Sequence, residues 1–173
     1  MAIEFSDVAL RLVGAFYTFA GVVASRAGVM SRMLDATIAA IGGERPSWAE
    51  TARALWMACA GIVILAGGVA LMLQTHLAAW LFVISALAQA IYLGVVAPKF
   101  LDPTDPPDAT GRQQTTNAFV FYLAATALVL WANVSGRLQD WHSLPWPIAP
   151  LAVAAVGAYA GYILIRLFKP LTK

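Results

Sequence analysis

The sequence predicts an all-α integral membrane protein: a compact bundle of five transmembrane helices in a single domain, residues 1–173. Residues 54–98 contain no Asp, Glu, Lys or Arg. Because one span needs roughly 20 apolar residues, this run accounts for two spans and the turn between them. The whole chain is 61% hydrophobic and 12% charged, whereas soluble domains are about 25% charged. An ordinary soluble domain is therefore excluded.

The first of the five spans has the shortest uncharged stretch, and the bundle has four spans if this segment does not cross. Only fourteen residues separate Arg11 from Arg26, and they rise about 21 Å against a hydrocarbon core of about 30 Å. The segment crosses if both arginines reach towards opposite head-group layers. Asp7, one turn before Arg11, is placed to pair with it. The predicted spans are residues 8–25, 55–73, 77–97, 117–134 and 148–167.

An amphipathic segment follows the first span. Apolar side chains recur there at steps of three or four residues, a helical pattern, at Met30, Met33, Leu34, Ile38 and Ile41. We expect an interfacial helix near residues 29–41 on the cytoplasmic surface; the other interpretation is that the first span simply continues into the cytosol. Beyond it, Ser47 and Glu50 have the spacing of a capping box, which begins the second span.

The distribution of basic residues predicts the orientation. With five spans, nine of the eleven basic residues fall on one side of the membrane, and Arg11 and Arg137 fall on the other. By the positive-inside rule the nine are cytoplasmic. We therefore expect the N-terminus outside and the C-terminus in the cytoplasm, in a bacterial inner membrane.

Both histidines, His76 and His142, fall on the predicted outer side, in loops. Imidazoles at one depth can ligate a metal or a haem, so these two are the candidate metal ligands. A third ligand of type Cys or His is missing on that side, because Cys59 lies inside a span. We expect no metal site and no cofactor, with lipid the expected bound molecule.

The loop after the third span carries three regularly spaced carboxylates. Asp102, Asp105 and Asp108 recur every three residues among prolines, and a polyproline-II path would place them on one face. They are candidates for docking a basic partner. The alternative is a stiff connector between two spans, and the segment lacks the spacing of a calcium-binding EF-hand loop.

Small residues form stripes at helical spacing, which let helix backbones approach closely. Such stripes serve either packing within the chain or association with another protein. In the first span Gly14, Gly21 and Gly28 repeat every seven residues. The predicted helix-packing residues of the later spans are Gly157, Gly161, Ala86, Ala90 and Gly94.

No HExxH, GxSxG or Ser-Lys arrangement is present, so the sequence favours a function other than catalysis. Three hypotheses remain open. The leading hypothesis is a membrane protein that acts by association, as an accessory or assembly subunit or a homo-oligomer. Its partners would be membrane lipids and other membrane-protein subunits or itself. The second is a carrier or channel for a neutral or lipid-like molecule, near Gln89, Tyr92 and Tyr122. The third is a redox or metal protein that uses the two histidines. A net charge of +2 gives no reason to expect nucleic acid.

Overall fold

The computed structural model describes residues 5–43, 47–102 and 109–168, and five long helices dominate this part of the chain. They are α1 (Phe5–Gly42), α2 (Trp48–Met72), α3 (His76–Ile91), α4 (Ala109–Val134) and α5 (Ile148–Phe168). A π-helical segment, Tyr92–Leu101, continues α3, and a short 3-10 turn covers Trp141–Ser143. When α3 is taken together with its π-helical continuation to Leu101, all five helices are long and apolar enough to cross a membrane. The predicted all-α bundle is confirmed.

The first helix is longer than its predicted span. It has 38 residues and rises about 57 Å, against a hydrocarbon core of about 30 Å. The helix predicted near residues 29–41 is present, but as the continuation of α1 and not as a separate surface helix. The physical reason is that residues 29–41 contain neither Pro nor Gly, the usual causes of a break or kink.

Helix α2 begins with the predicted capping box. The Ser47 hydroxyl accepts a hydrogen bond from the Glu50 backbone N–H at 3.1 Å, and the Ser47 N–H donates to the Glu50 carboxylate at 2.8 Å. Two N–H groups that lack intrahelical partners are thereby satisfied. This end of α2 is fixed by its own sequence.

Helix α3 changes to π-helical geometry before it ends. Pro98 lies inside the π-helical segment. A proline ring removes one N–H donor and collides with the carbonyl four residues earlier, and a widened turn is one way for a helix to continue through such a position. The apolar helix consequently extends from His76 to Leu101.

Helices α1 and α2 are antiparallel neighbours in very close contact. A Cβ atom built on Gly14 would lie 2.9 Å from the Gly68 carbonyl oxygen. A Cβ on Gly21 would lie 2.6 Å from the Gly61 oxygen, and one on Gly28 would lie 2.7 Å from the Ala54 oxygen. Real Cβ contacts are longer than these distances, so the two backbones touch where no side chain intervenes. We call this contact the glycine seam.

The remaining helices pack on two sides of the α1–α2 pair. On one side, the rings of Tyr17, Phe82 and Tyr122 lie 5.3 Å apart, centre to centre, and join α1, α3 and α4. On the other side, Ile163 and Leu167 of α5 are buried with Ala58 of α2. The Tyr159 hydroxyl of α5 also lies 2.8 Å from the Ser25 hydroxyl of α1.

One end of the bundle, which we call the His76 end, is closed by contacts between loops. The backbone of the α2–α3 turn bonds the α4–α5 loop: the His76 N–H donates to the Gln139 oxygen at 3.1 Å, and the Gln139 N–H donates to Gln74 at 2.7 Å. Arg137 lies 3.5 Å from the Asp7 carboxylate, and Arg11 donates to the Gln74 side chain at 3.2 Å. Asp7 therefore pairs with Arg137, and the suggested Asp7–Arg11 pair was wrong.

Candidate functional site

The small-residue stripe of α3 is only partly inside the bundle. Ala86 is buried in the core that contains Phe82 and Tyr122. Ala90 is exposed, and a Cβ built on Gly94 would meet no atom within 4 Å. Of this predicted stripe, Ala86 alone is buried.

The small-residue stripe of α5 is open. A Cβ built on Gly157 or Gly161 would meet nothing within 4 Å in the described structure. At 100° per residue, both glycines lie on the side of α5 away from Tyr159 and Ile163, which face the bundle. Only 6% of the most apolar 18-residue window of α5 is buried, compared with 39% for α2. Helix α5 thus presents a face of small residues away from its own fold.

A groove of about 580 Å³ lies at the start of this same face. It is formed by the α4–α5 loop and the first two turns of α5. Trp146 on its rim is 84% exposed. Ala154 is both in the groove and one turn before Gly157, so the groove and the small-residue face are continuous. The lining residues are Trp141, His142, Leu144, Trp146, Ala149, Pro150, Val153 and Ala154.

The two candidate metal ligands have different surroundings. Nδ1 of His76 lies 2.6 Å from the Asn133 side-chain oxygen, and its Nε2 lies 3.9 Å from the Asp140 carboxylate. His142 lies in the 3-10 turn and lines the groove. Over residues 5–43, 47–102 and 109–168, no group of three or more His, Cys, Asp or Glu side chains could hold a metal ion. Through its contact with Asn133, His76 links the α2–α3 turn to the end of α4.

Asp102 is held by two arginines of its own chain. It lies 3.3 Å from the Arg53 guanidinium and also contacts Arg112, and its side chain is only 14% exposed. The contacts join α2, the end of the π-helical segment and the start of α4. Asp105 and Asp108, the other two predicted docking carboxylates, lie outside the described residues. The three-residue spacing suggested that Asp102 acts together with Asp105 and Asp108. In the structure its carboxylate instead contacts Arg53 and Arg112.

The residues considered for a carrier cavity contact other side chains of the bundle. The Gln89 amide donates to the Ser85 hydroxyl at 3.1 Å, and Ser85 hydrogen-bonds Tyr122. The Tyr92 ring stacks on Trp56 with centres 4.6 Å apart. The Ser85–Tyr122 bond links α3 to α4, and the stacked rings of Tyr92 and Trp56 link the π-helical segment to α2.

The sequence analysis missed the partner of the first glycine stripe. Ala54, Gly61 and Gly68 repeat every seven residues in α2, as Gly14, Gly21 and Gly28 do in α1. This shared spacing was the available signal. No family model, curated protein or solved structure matches the chain. The geometry alone must therefore support a function.

Proposed function

We propose that the protein acts by association, as an accessory or assembly subunit that binds a transmembrane helix of another membrane protein through α5. The observation that carries the proposal is the open Gly157–Gly161 face on α5, whose most apolar 18-residue window is only 6% buried. Helices associate in lipid chiefly by close packing, and small residues permit the closest approach. A glycine that faces lipid forgoes those contacts.

The groove beside this face supports the same function. Interfaces gain most of their energy where large side chains fill pockets. A partner helix that crosses α5 at Gly157 would pass Ala154, and it could place a large apolar or aromatic side chain between Trp141 and Trp146. The face and the groove would then form one continuous binding surface along α5.

Crosslinking inside native membranes tests the proposal. A photoreactive amino acid at Ala154 should give a discrete protein–protein adduct. Gly157→Ile and Gly161→Ile should remove that adduct, because the added side chains prevent close approach. The matched control is Ala155→Ile, since Ala155 is exposed on another side of α5 and its substitution should leave the adduct intact. Lipid adducts alone, or an adduct insensitive to Gly157→Ile, would overturn the proposal.

We also propose a bacterial inner membrane as the location, with the N-terminus outside. The distribution of basic residues supports this orientation. With Cys59 replaced by serine, Ser6→Cys should react with an impermeant maleimide from the outside only. Gly42→Cys, at the other end of α1, should react from the cytoplasmic side only. Labelling of both positions from one side would contradict the orientation and the first crossing together.

A further inference from the structure

A second association surface runs along α1, on the side opposite the glycine seam. At 100° per residue, the seam glycines and the exposed apolar side chains of α1 fall about half a turn apart. The exposed side chains form one stripe from within the membrane segment to the end of the helix. Representative members, each 53% to 84% exposed, are Phe16, Phe19, Met30, Leu34, Ile38 and Ile41.

The far part of this stripe extends beyond the apolar span. Gly28 contacts the backbone of Ala54, and Ala54 is preceded by Arg53, which is held by Asp102. Gly28 is therefore level with the charged boundary of α2. Residues 29–42 continue past this level for about 21 Å. If the membrane boundary lies at this level, four large apolar side chains of the extension lie beyond the hydrocarbon.

The continuity of α1 also argues against the membrane surface as the site that covers the apolar side chains of the extension. A helix that crosses the bilayer can lie on its surface only after a sharp bend. Such bends occur at Pro, at Gly or Ser pairs or at π-bulges, and residues 29–41 have no Pro or Gly and remain α-helical. Since no described residue of the chain covers this part of the stripe, a protein partner is the cover that we infer.

We propose that this partner is a second copy of the chain, packed parallel through α1 about a two-fold axis along the membrane normal. A parallel pair would bury the membrane part and the extension of the stripe in one contact. Eight large apolar side chains of α1 between residues 12 and 41 are at least half exposed. That is enough to approach the roughly 800 Å² per partner of a standard stable interface.

The charges of the extension are compatible with a parallel pair. Arg32 lies over the Phe168 ring of α5, 5.6 Å from its centre, on the seam side of the helix. The Asp35 carboxylate accepts a hydrogen bond from Ser31 at 3.4 Å and also lies off the stripe. On the extension, like charges would therefore not oppose each other across the two-fold axis. The exposed Arg26, one turn before Met30, would lie at the edge of the contact. The inference rests on the proposed function only in that the protein acts by association, and it uses a different helix.

Disulfide crosslinking of the full chain in vesicles tests the dimer. In a Cys59→Ser background, Leu34→Cys and Ile41→Cys should form dimers under a mild oxidant, because two-fold symmetry brings each position close to its own copy. Ala40→Cys, exposed but off the stripe, is the matched control and should remain largely monomeric. Equal crosslinking at positions 34 and 40, or none at 34 and 41, would overturn the proposal.

A second measurement separates this surface from the one on α5. Leu34→Glu with Ile38→Glu should convert a dimeric mass in mild detergent to a monomeric one. These exposed substitutions should leave the glycine seam folded. The same pair should leave the Ala154 photo-adduct in place, whereas Gly157→Ile should remove the adduct and leave the dimer. A photoreactive amino acid at Leu34 should crosslink to a second copy of the chain. A wild-type monomer, or an adduct at this position only with a different protein or with lipid, would overturn the dimer while leaving the α5 proposal standing.

Discussion

Gly21 of α1 and Gly61 of α2 face each other reciprocally. A Cβ atom on Gly21 would lie 2.6 Å from the Gly61 oxygen, and a Cβ on Gly61 would lie 2.9 Å from the Gly21 oxygen. Each glycine thus makes room for the other backbone. The contact is the centre of the seam that joins the two central helices of the bundle.

Gly21→Ala should destabilise the bundle by about 1–3 kcal/mol, the usual cost of forcing atoms into a packed contact. The new methyl group would lie 2.4 Å from the Leu65 backbone nitrogen, and a backbone cannot rotate away as a side chain can. Unfolding of the purified chain in mixed micelles measures the effect. Gly157→Ala is the control, because it gives the same gain in helix propensity in open space. Equal stability of the two variants would contradict the seam.

Asp102→Asn should destabilise the bundle by about 1–2 kcal/mol, because Arg53 and Arg112 lose their shared carboxylate and exposure of Arg112 weakens the pair. Thermal unfolding in detergent checks this.

The control is the double variant Asp105→Asn with Asp108→Asn, which changes the same loop. If that loop docks a basic partner, the double variant should weaken salt-sensitive copurification without loss of stability. An unaffected Asp102→Asn protein would show that the arginine contacts contribute little.

The Asp7–Arg137 pair should contribute a coupling energy of about 0.5–1 kcal/mol. Both side chains are about one-third exposed, at 33% and 29%, and partly exposed ion pairs are worth little more. A double-mutant cycle with Asp7→Asn and Arg137→Gln measures this coupling. Asp140→Asn is the comparison, because that side chain is 85% exposed and should have almost no effect. Zero coupling between Asp7 and Arg137 would show that this end is closed by its other contacts, the backbone bonds of Gln139 and the Arg11–Gln74 bond.

Tyr159→Phe should loosen α5 at a cost of about 1 kcal/mol. The hydroxyl lies 2.8 Å from the Ser25 hydroxyl and donates to the Val22 oxygen at 3.2 Å. Hydrogen exchange of α5 amides should rise in this variant, while that of α2 should not. Tyr162→Phe is the matched control, since Tyr162 is 46% exposed. An identical rise in both variants would show that these hydrogen bonds do not hold α5.

Composition was enough to predict the spans, because a membrane requires apolar length whatever the packing. It could not show that residues 29–41 continue α1, since the same periodicity describes a separate helix and an extended one. Continuity depended on the lack of a breaking residue between Gly28 and Gly42. Capping at Ser47 was predictable because both partners lie within four residues.

The spacing of small residues did not show which of them pack against a helix of the same chain. Gly157 and Gly161 have the four-residue spacing of a packing stripe, and yet they lie open. Gly14 and Gly21 have a seven-residue spacing, and they are buried against α2. Asp102 shows the same limit, because Arg53 is 49 positions away and no local pattern connects the two. Spacing identifies a face of a helix, whereas tertiary packing decides what meets it.

The seam has a repeat, and a repeat leaves more than one alignment available. Sliding α1 along α2 by seven residues, about 10.5 Å, would again set Gly14 against Gly61 and Gly21 against Ala54. The slid alignment keeps two of the three close pairs, so the seam by itself favours the observed alignment by one pair only. The alignment of α1 along α2 is fixed by contacts that form only once, such as Arg11 with Gln74 and Asp7 with Arg137. The seam holds the two helices together along their length, and the contacts at the His76 end fix their alignment.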